Sequence, residues 1–144
     1  MWKALLLITS LAISWSCQAE SGKTLGDVLD AGASKLSSAE VEAQVIGSWY
    51  SFKGQSGSDF NLSPVPDGRV MGNVKGFKGA AEGSGTWKLG EDGKLCIDFH
   101  YAHGSLVGDF NRCHFWFSKS GNYWSAPSES NRDAPTLEIL SLKK

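Results

Sequence analysis

Apolar and polar residues alternate along most of the chain after Gly47, in short runs separated by turn residues. A period of two is typical of β-strands with one buried face. Pro, Asp and Gly cluster at 64–68, and Gly, Glu and Asp at 90–93, where they favour turns. Between these turns we expect strands over the following segments: 48–53, 59–63, 69–74, 84–89, 94–101, 112–118, 123–125 and 136–142. About seven or eight short strands at this spacing predict a mainly β domain, an antiparallel β-barrel or sandwich.

One short helix is predicted ahead of the strands. Ser37 and Glu40 have the spacing of a capping box, in which each side chain bonds to the backbone N–H of the other residue. Val41 and Val45 then share one helical face. The pattern predicts a helix over 38–45.

The glycine-rich stretch 75–83 lacks the alternation of its neighbours and is interpreted as a loose connection. Where alternation does hold, it sorts side chains between the two faces of a strand. It places Val70, Gly72 and Val74 on one face of a predicted strand and Met71 on the other.

The first nineteen residues have the pattern of a secretory signal peptide: a positive start, then about a dozen apolar residues. This run is too short to cross a bilayer, which needs roughly twenty residues, so no transmembrane segment is expected. Cys17 and Ala19 supply the small residues that a signal peptidase recognises, which predicts cleavage before Glu20. Lipidation of Cys17 is the alternative, and the bulky Trp15 disfavours it. We therefore expect a periplasmic or secreted protein.

The chain is of a size that forms one domain. The predicted organisation is a signal peptide at 1–19, an N-terminal leader at 20–36 that is either flexible or weakly helical, and a β-barrel domain at 37–144. Without Lys3, the 14 basic side chains become 13, against 15 acidic ones. This balance and the absence of a basic stripe argue against a nucleic-acid partner.

Removal of the signal peptide leaves two cysteines, Cys96 and Cys113, which predicts one disulfide in an exported domain. A metal site is the alternative, but the pair lacks C-x-x-C spacing. If the two cysteines face each other across antiparallel strands, they fix the register and put a polar row on one face. That row pairs Asp98 with Asn111 and His100 with Asp109, with the hairpin tip at 104–105.

Two interpretations of this row compete. In the functional one, His100 with Asp98 or Asp109 binds a ligand or transfers a proton, as in a small hydrolase. In the structural one, the row is the solvent face of a half-buried hairpin, and this is the interpretation that the sequence favours. Phe115 and Phe117 share the face of Cys113 by alternation, so that face is not uniformly polar. No metal site is predicted from His100, His103 and His114, and no nucleotide, cofactor or hydrolase motif is present.

Tryptophans supply the remaining candidate chemistry, because indole rings either fill the core of a small β domain or stack on ligands. Trp49 and Trp87 are expected in the core, since each follows a Gly-x pattern at a strand. Trp116 alternates out of phase with its phenylalanine neighbours and is the better candidate for an exposed or ligand-facing ring. The candidate ligand-lining rings are Trp49, Tyr50, Trp116 and Tyr123.

Several short motifs resemble the DUF995 group of small exported proteobacterial proteins of unknown function. They comprise 36–40 (LSSAE), 47–49 (GSW), 67–68 (DG), 85–88 (GTWK), 92–97 (DGKLCI), Cys113 and 121–123 (GNY). The resemblance covers roughly 36–125, with GTWK and DGKLC as its most specific parts. It implies an exported bacterial β domain without an established activity.

A second resemblance is to the first hairpin of avidin-like and other lipocalin-like barrels, which bind small molecules at the barrel mouth. It rests on 47–50, 57–60 and 67–72. The later tryptophan-bearing strands do not match the avidin pattern, so no biotin site is carried over.

These observations favour a binding protein without a catalytic role, with a small molecule or glycan of the cell envelope as its ligand. The alternative is a protein-binding module, such as an envelope inhibitor or immunity-type protein. Such a module would present a protruding loop, for which 102–108 and 126–135 are the candidates.

Overall fold

A computed structural model describes residues 23–144. The predicted signal peptide and Cys17 lie outside the described residues and stay predictions. Within 23–144 the chain forms two short helices and ten strands, and the predicted mainly β antiparallel barrel is confirmed. The helices are α1 (Leu25–Asp30) and α2 (Ser38–Gln44). The strands are β1 (Ser34–Lys35), β2 (Trp49–Lys53), β3 (Asp59–Pro64), β4 (Arg69–Gly76), β5 (Gly79–Leu89), β6 (Leu95–His103), β7 (Leu106–Lys119), β8 (Asn122–Ala126), β9 (Leu137–Ile139) and β10 (Ser141–Lys143).

The C-terminal segment nearly closes the barrel. Strands β2 to β8 pair in sequence order, each antiparallel to the next. β9 then pairs with β8, whereas β10 pairs with β2 at the other end of the sheet. Leu140 separates the two strands, and its N–H donates to the carbonyl of Ser51 at 2.8 Å. A single extended segment therefore joins both sheet edges, which reduces the unpaired edge that an open sheet would expose.

The register predicted from the cysteines is confirmed. Cys96 and Cys113 are directly opposed and bonded as a disulfide. His100 lies opposite Asp109, and the hairpin tip follows His103. The other face of β6 points inward, with Leu95, Ile97 and Phe99 buried as predicted.

The stretch 75–83 is a tight hairpin, and its interpretation as a loose connection is wrong. β4 and β5 pair throughout it, from Lys75 opposite Ala80 to Gly72 opposite Gly83. The inward glycines make room for the fully buried ring of Phe99. A Cβ added at Gly72 would lie 2.6 Å from Leu62 Cδ2 and 3.2 Å from Phe99 Cε2. Glycine is therefore used here for close packing across the barrel.

The barrel core holds large apolar side chains from the inward face of every strand from β2 to β7. Its aromatic rings pack against one another. The ring centroids of Tyr50 and Trp116 are 5.0 Å apart, and that of Phe52 lies 5.0 Å from those of both Phe60 and Phe110. Helix α2 adds Val41 and Val45 to this core, both fully buried. The interior of the barrel is filled by its own side chains.

Helix α2 begins as predicted. Ser37 is its N-cap, and the capping box with Glu40 forms in both directions, at 3.2 Å and 3.1 Å. The segment preceding it is also ordered into α1, which Thr24 caps in the same way through Asp27. The helical alternative for 25–29 is therefore the observed one.

A second apolar cluster, here called the outer cluster, lies outside the barrel. Phe115 and Phe117 project outward from β7, as alternation predicts, yet both are buried. Leu25 and Val28 of α1 cover them. The further members of the cluster are Ala33, Trp124, Ala126 and Ala134, with Leu29 at its margin. The outward face of β7 therefore changes from polar to apolar where α1 covers it.

Candidate functional site

The four predicted ligand-lining rings do not line one cavity. Tyr50 and Trp116 are 2% and 3% exposed and belong to the barrel core. Trp116 therefore packs inside, because the alternation that separates it from Phe115 points it into a filled barrel. Tyr123 is half-buried, and its hydroxyl donates to Gln44 Oε1 at 2.9 Å. Burial raises the pKa of Tyr50 above its usual value.

The two tryptophans expected in the core differ. Trp87 is half-buried against the core, and its Nε1–H donates to the carbonyl of Val65 at 2.6 Å. Trp49 lies on the outward face of β2 with 39% of its surface exposed, which corrects its assignment to the core. Tyr50, the next residue along the strand, takes the inward position instead.

The polar row beside the disulfide faces solvent. His100 Nδ1 and Asp109 Oδ1 are 2.7 Å apart, and both side chains are 60% exposed. Asp98 lies two residues from His100 on the same outward face, and it is exposed too. Ser84 lies opposite His100 on β5, but within residues 23–144 no hydrogen bond joins the two. The row has the geometry of surface contacts, in which water competes for each charge.

The two loops expected to protrude also differ. The end of the β6–β7 hairpin is exposed from Ala102 to Ser105. The segment 126–135 instead packs onto α1, where Leu25 N–H donates to the carbonyl of Ala134 at 2.9 Å and Gly26 N–H to that of Arg132 at 2.8 Å.

A cleft of about 590 Å³ lies in the side of the barrel and is here called the side cleft. It exists because β8 is short. β8 pairs only with the stretch of β7 from Phe115 to Lys119, so among residues 23–144 no strand covers the same edge of β7 from Asp109 to His114. The cleft lies between that edge, the end of β2 and the returning chain at Thr136 and Leu137.

Aromatic side chains form the floor of the side cleft. Phe52, Phe60 and Phe110 reach it from β2, β3 and β7. Gly54 lets the β2–β3 turn approach this floor, since an added Cβ would lie 2.7 Å from Phe60 Cε2. The lining therefore combines aromatic rings and the apolar side chains of Pro127, Pro135 and Leu137 with polar groups.

Arg112 carries the main positive charge of the side cleft, whose lining also includes Asp109, 2.7 Å from His100 Nδ1. Its guanidinium lies 5.2 Å from the centroid of the Phe110 ring, a distance at which a cation is attracted to the ring. Nη1 donates to the carbonyl of Asn111 at 3.0 Å, and within residues 23–144 the guanidinium forms no ion pair. The second cation, Lys53, is already paired with Asp59 at 2.6 Å.

His114 lies beside Arg112 at the inner end of the cleft. Its Nδ1 is 2.8 Å from the hydroxyl of the buried Ser125. Burial, and to a lesser extent the Arg112 cation, lowers the pKa of His114 to about 4. The imidazole is therefore neutral at pH 7 and adds hydrogen-bonding capacity without charge.

Sequence reasoning missed Arg112 and His114 as site residues. The available signal was the alternation Phe110, Arg112, His114, Trp116, which puts two polar side chains on the inward face of an aromatic strand. Polar groups on a core-facing row are expected where the barrel wall is open.

In residues 23–144 no three His, Cys, Asp or Glu side chains lie close enough together to hold a metal ion. None of the helices of this region is long and apolar enough to cross a membrane. Comparisons with protein-family models, curated proteins and solved structures gave no match.

Proposed function

We propose that this protein is an exported binding protein that takes a small molecule in the side cleft. The ligand combines a flat apolar body with an anionic group. The observation that carries the proposal is the guanidinium of Arg112, which faces an aromatic floor without a carboxylate partner in the described residues.

The apolar part of such a ligand would contact Phe60, Phe110 and Leu137, in a cleft whose volume is in the range of small-molecule sites. The anionic part would accept hydrogen bonds from Arg112, whose fork of donors suits carboxylate, sulfonate or phosphate groups. Neutral His114 would supply a further polar contact. These contacts would bind and orient a ligand, so the proposed role is binding.

Export is part of the same proposal. A disulfide between Cys96 and Cys113 suits an oxidising compartment, as does the predicted signal peptide. The resemblance to the DUF995 group supports a bacterial envelope setting, periplasmic or secreted.

The experiment uses 1-anilinonaphthalene-8-sulfonate, a probe with fused rings and one sulfonate. Its fluorescence is titrated against the purified protein and against the variants Arg112→Ala and Arg112→Lys. We expect saturable binding that weakens about tenfold in Arg112→Ala, the loss of one charge-assisted contact, and less in Arg112→Lys. Arg69→Ala is the matched control, because Arg69 is an exposed arginine outside the cleft that pairs with Asp67.

Equal affinity of Arg112→Ala and the parent protein would contradict the proposal, as would an equal loss in Arg69→Ala. The unfolding midpoint of each variant is measured in parallel, so that a folding defect is separated from a binding defect.

A further inference from the structure

A second recess lies on the outward face of β10, β2, β3 and β4, and it shares the lining residues Phe52 and Phe60 with the side cleft. It has a volume of about 440 Å³ and is here called the outer groove. The strand register sorts its side chains into three parallel cross-strand rows. Each row has its own chemistry, so the groove is described row by row.

The middle row is uncharged and polar on all four strands. Ser141 lies opposite Ser51, Ser51 opposite Asn61, and Asn61 opposite Asn73. The two serine hydroxyls are 2.6 Å apart, and within residues 23–144 neither asparagine amide makes a side-chain hydrogen bond. At about 4.8 Å between strands, this row presents hydroxyl and amide groups at regular intervals over a length that suits a short oligosaccharide.

The first row begins with the exposed indole of Trp49, opposite Lys143 on β10. An indole face is a flat apolar surface beside polar groups, which is what the apolar face of a sugar ring requires. An indole ring on a barrel strand is usually buried in the core. Here Tyr50 takes the inward position, so the ring of Trp49 stays on the outward face.

The third row is charged. Lys53 pairs with Asp59 at 2.6 Å, whereas Lys75, opposite Asp59, has no ion pair in the described part of the chain. Lys143 at the other side of the groove is likewise without an ion pair among residues 23–144. Lys75 and Lys143, against Asp59, leave the lining of the groove with an excess of positive charge.

We infer that the outer groove is a binding site for an acidic oligosaccharide. One sugar ring stacks on Trp49, ring hydroxyls exchange hydrogen bonds with Asn61 and Asn73, and carboxylates are attracted by Lys75 and Lys143. The inference does not depend on the side cleft, because none of the side chains that would contact the oligosaccharide lines that cleft and the class of ligand differs. A flat aromatic anion suits the cleft, whereas the regular polar row suits a chain of hydroxylated rings.

The test is a titration of the purified protein with trigalacturonic acid, with neutral cellotriose in parallel, followed by the chemical shifts of the indole N–H groups. We expect the Trp49 signal to shift on addition of trigalacturonic acid. Trp49→Ala is expected to lower the affinity at least tenfold, Trp49→Phe less, and Asn73→Ala about fivefold. Phe77→Ala is the matched control, because Phe77 is a fully exposed aromatic in the β4–β5 turn.

Absence of binding at millimolar trigalacturonic acid would overturn the inference. So would unchanged affinity in both Trp49→Ala and Asn73→Ala. Binding of cellotriose as tight as that of trigalacturonic acid would overturn the assignment to an acidic ligand. Arg112→Ala, which tests the side cleft, is expected to leave this titration unchanged, so the two proposals fail separately.

Discussion

The barrel core and the outer cluster are built on the two faces of the same strand. On β7, Trp116 points into the barrel, and Phe115 and Phe117 point out. Strands joined by continuous rows of backbone hydrogen bonds enclose the barrel core. The outer cluster is covered by α1 and by the segment leading to Pro135, which are held to each other by a few backbone hydrogen bonds.

The difference between the clusters lies in how they can open. Exposing Trp116 requires separation of paired strands, whereas exposing Phe117 requires only that α1 and the segment leading to Pro135 move away. The outer cluster also holds Trp124, whose buried Nε1–H has no hydrogen-bond partner in the described residues. Free energies of local opening vary across a protein, and the regions with fewest ladder contacts open first. We therefore expect α1 to open without the barrel.

The largest expected effect comes from truncating one ring in each cluster. Phe99→Ala removes a fully buried ring at the centre of the barrel and is expected to lower the free energy of unfolding by about 4 kcal/mol. Phe117→Ala, also buried, is expected to cost about 3 kcal/mol, with hydrogen exchange rising first in α1. Urea unfolding measures the totals, and exchange by mass spectrometry locates the opening.

If Phe117→Ala raised hydrogen exchange in β3 to β5 as much as in α1, the expectation that α1 opens without the barrel would be wrong. Val107→Ala serves as the control for both variants, because Val107 is exposed near the tip of the β6–β7 hairpin. It is expected to change the unfolding free energy by less than about 0.5 kcal/mol.

Protonation of His114 is expected to have an effect of intermediate size on stability. This residue lies at the boundary between the barrel core and the side cleft. Its pKa is about 4 in the folded protein and about 6.5 in an unfolded chain, so the unfolded state takes up this proton first as the pH falls. The associated stability is complete above pH 6.5 and is lost as the pH falls towards 4. Allowing for partial exposure, we expect a loss of about 2 kcal/mol between pH 7 and pH 4.5.

Urea unfolding at these two pH values checks the effect. His114→Gln is expected to reduce the pH dependence while it keeps a hydrogen bond to Ser125. His103→Gln, at an exposed position of the β6–β7 hairpin, is the control and should leave the dependence as it is. If the unfolding free energy of His114→Gln changed with pH as much as that of the parent protein, the pH dependence would come from other groups.

Local patterns predicted much of the fold. The spacing of Ser37 and Glu40 gave the start of α2, and the two cysteines gave the register of β6 and β7. Both predictions rest on interactions between residues that are close in sequence or covalently linked. Such interactions need no knowledge of the rest of the chain.

The candidate site was less predictable, because its position depends on the whole barrel. Alternation showed that Trp49 and Tyr50 point to opposite faces, but only the closed sheet shows which face is inside. The side cleft arises from the short reach of β8, and the cover over Phe117 arises from α1, which is distant in sequence. The glycines of the β4–β5 hairpin predicted a loose connection, whereas the structure shows that they leave room for the ring of Phe99.

The smallest expected effect tests the difference between the barrel core and the outer cluster most directly, because each of them packs against its own capped helix. Thr24→Ala and Ser37→Ala remove matched N-cap side chains from α1 and α2, and each is expected to cost its helix about 1 kcal/mol. Since α2 contributes Val41 and Val45 to the barrel core, Ser37→Ala should lower the global unfolding free energy by that amount. Thr24→Ala should instead increase hydrogen exchange in α1 and leave the midpoint of the barrel's main unfolding transition nearly unchanged, because α1 opens before the barrel unfolds. Equal shifts of that midpoint in the two variants would show that α1 and the barrel unfold as one cooperative unit.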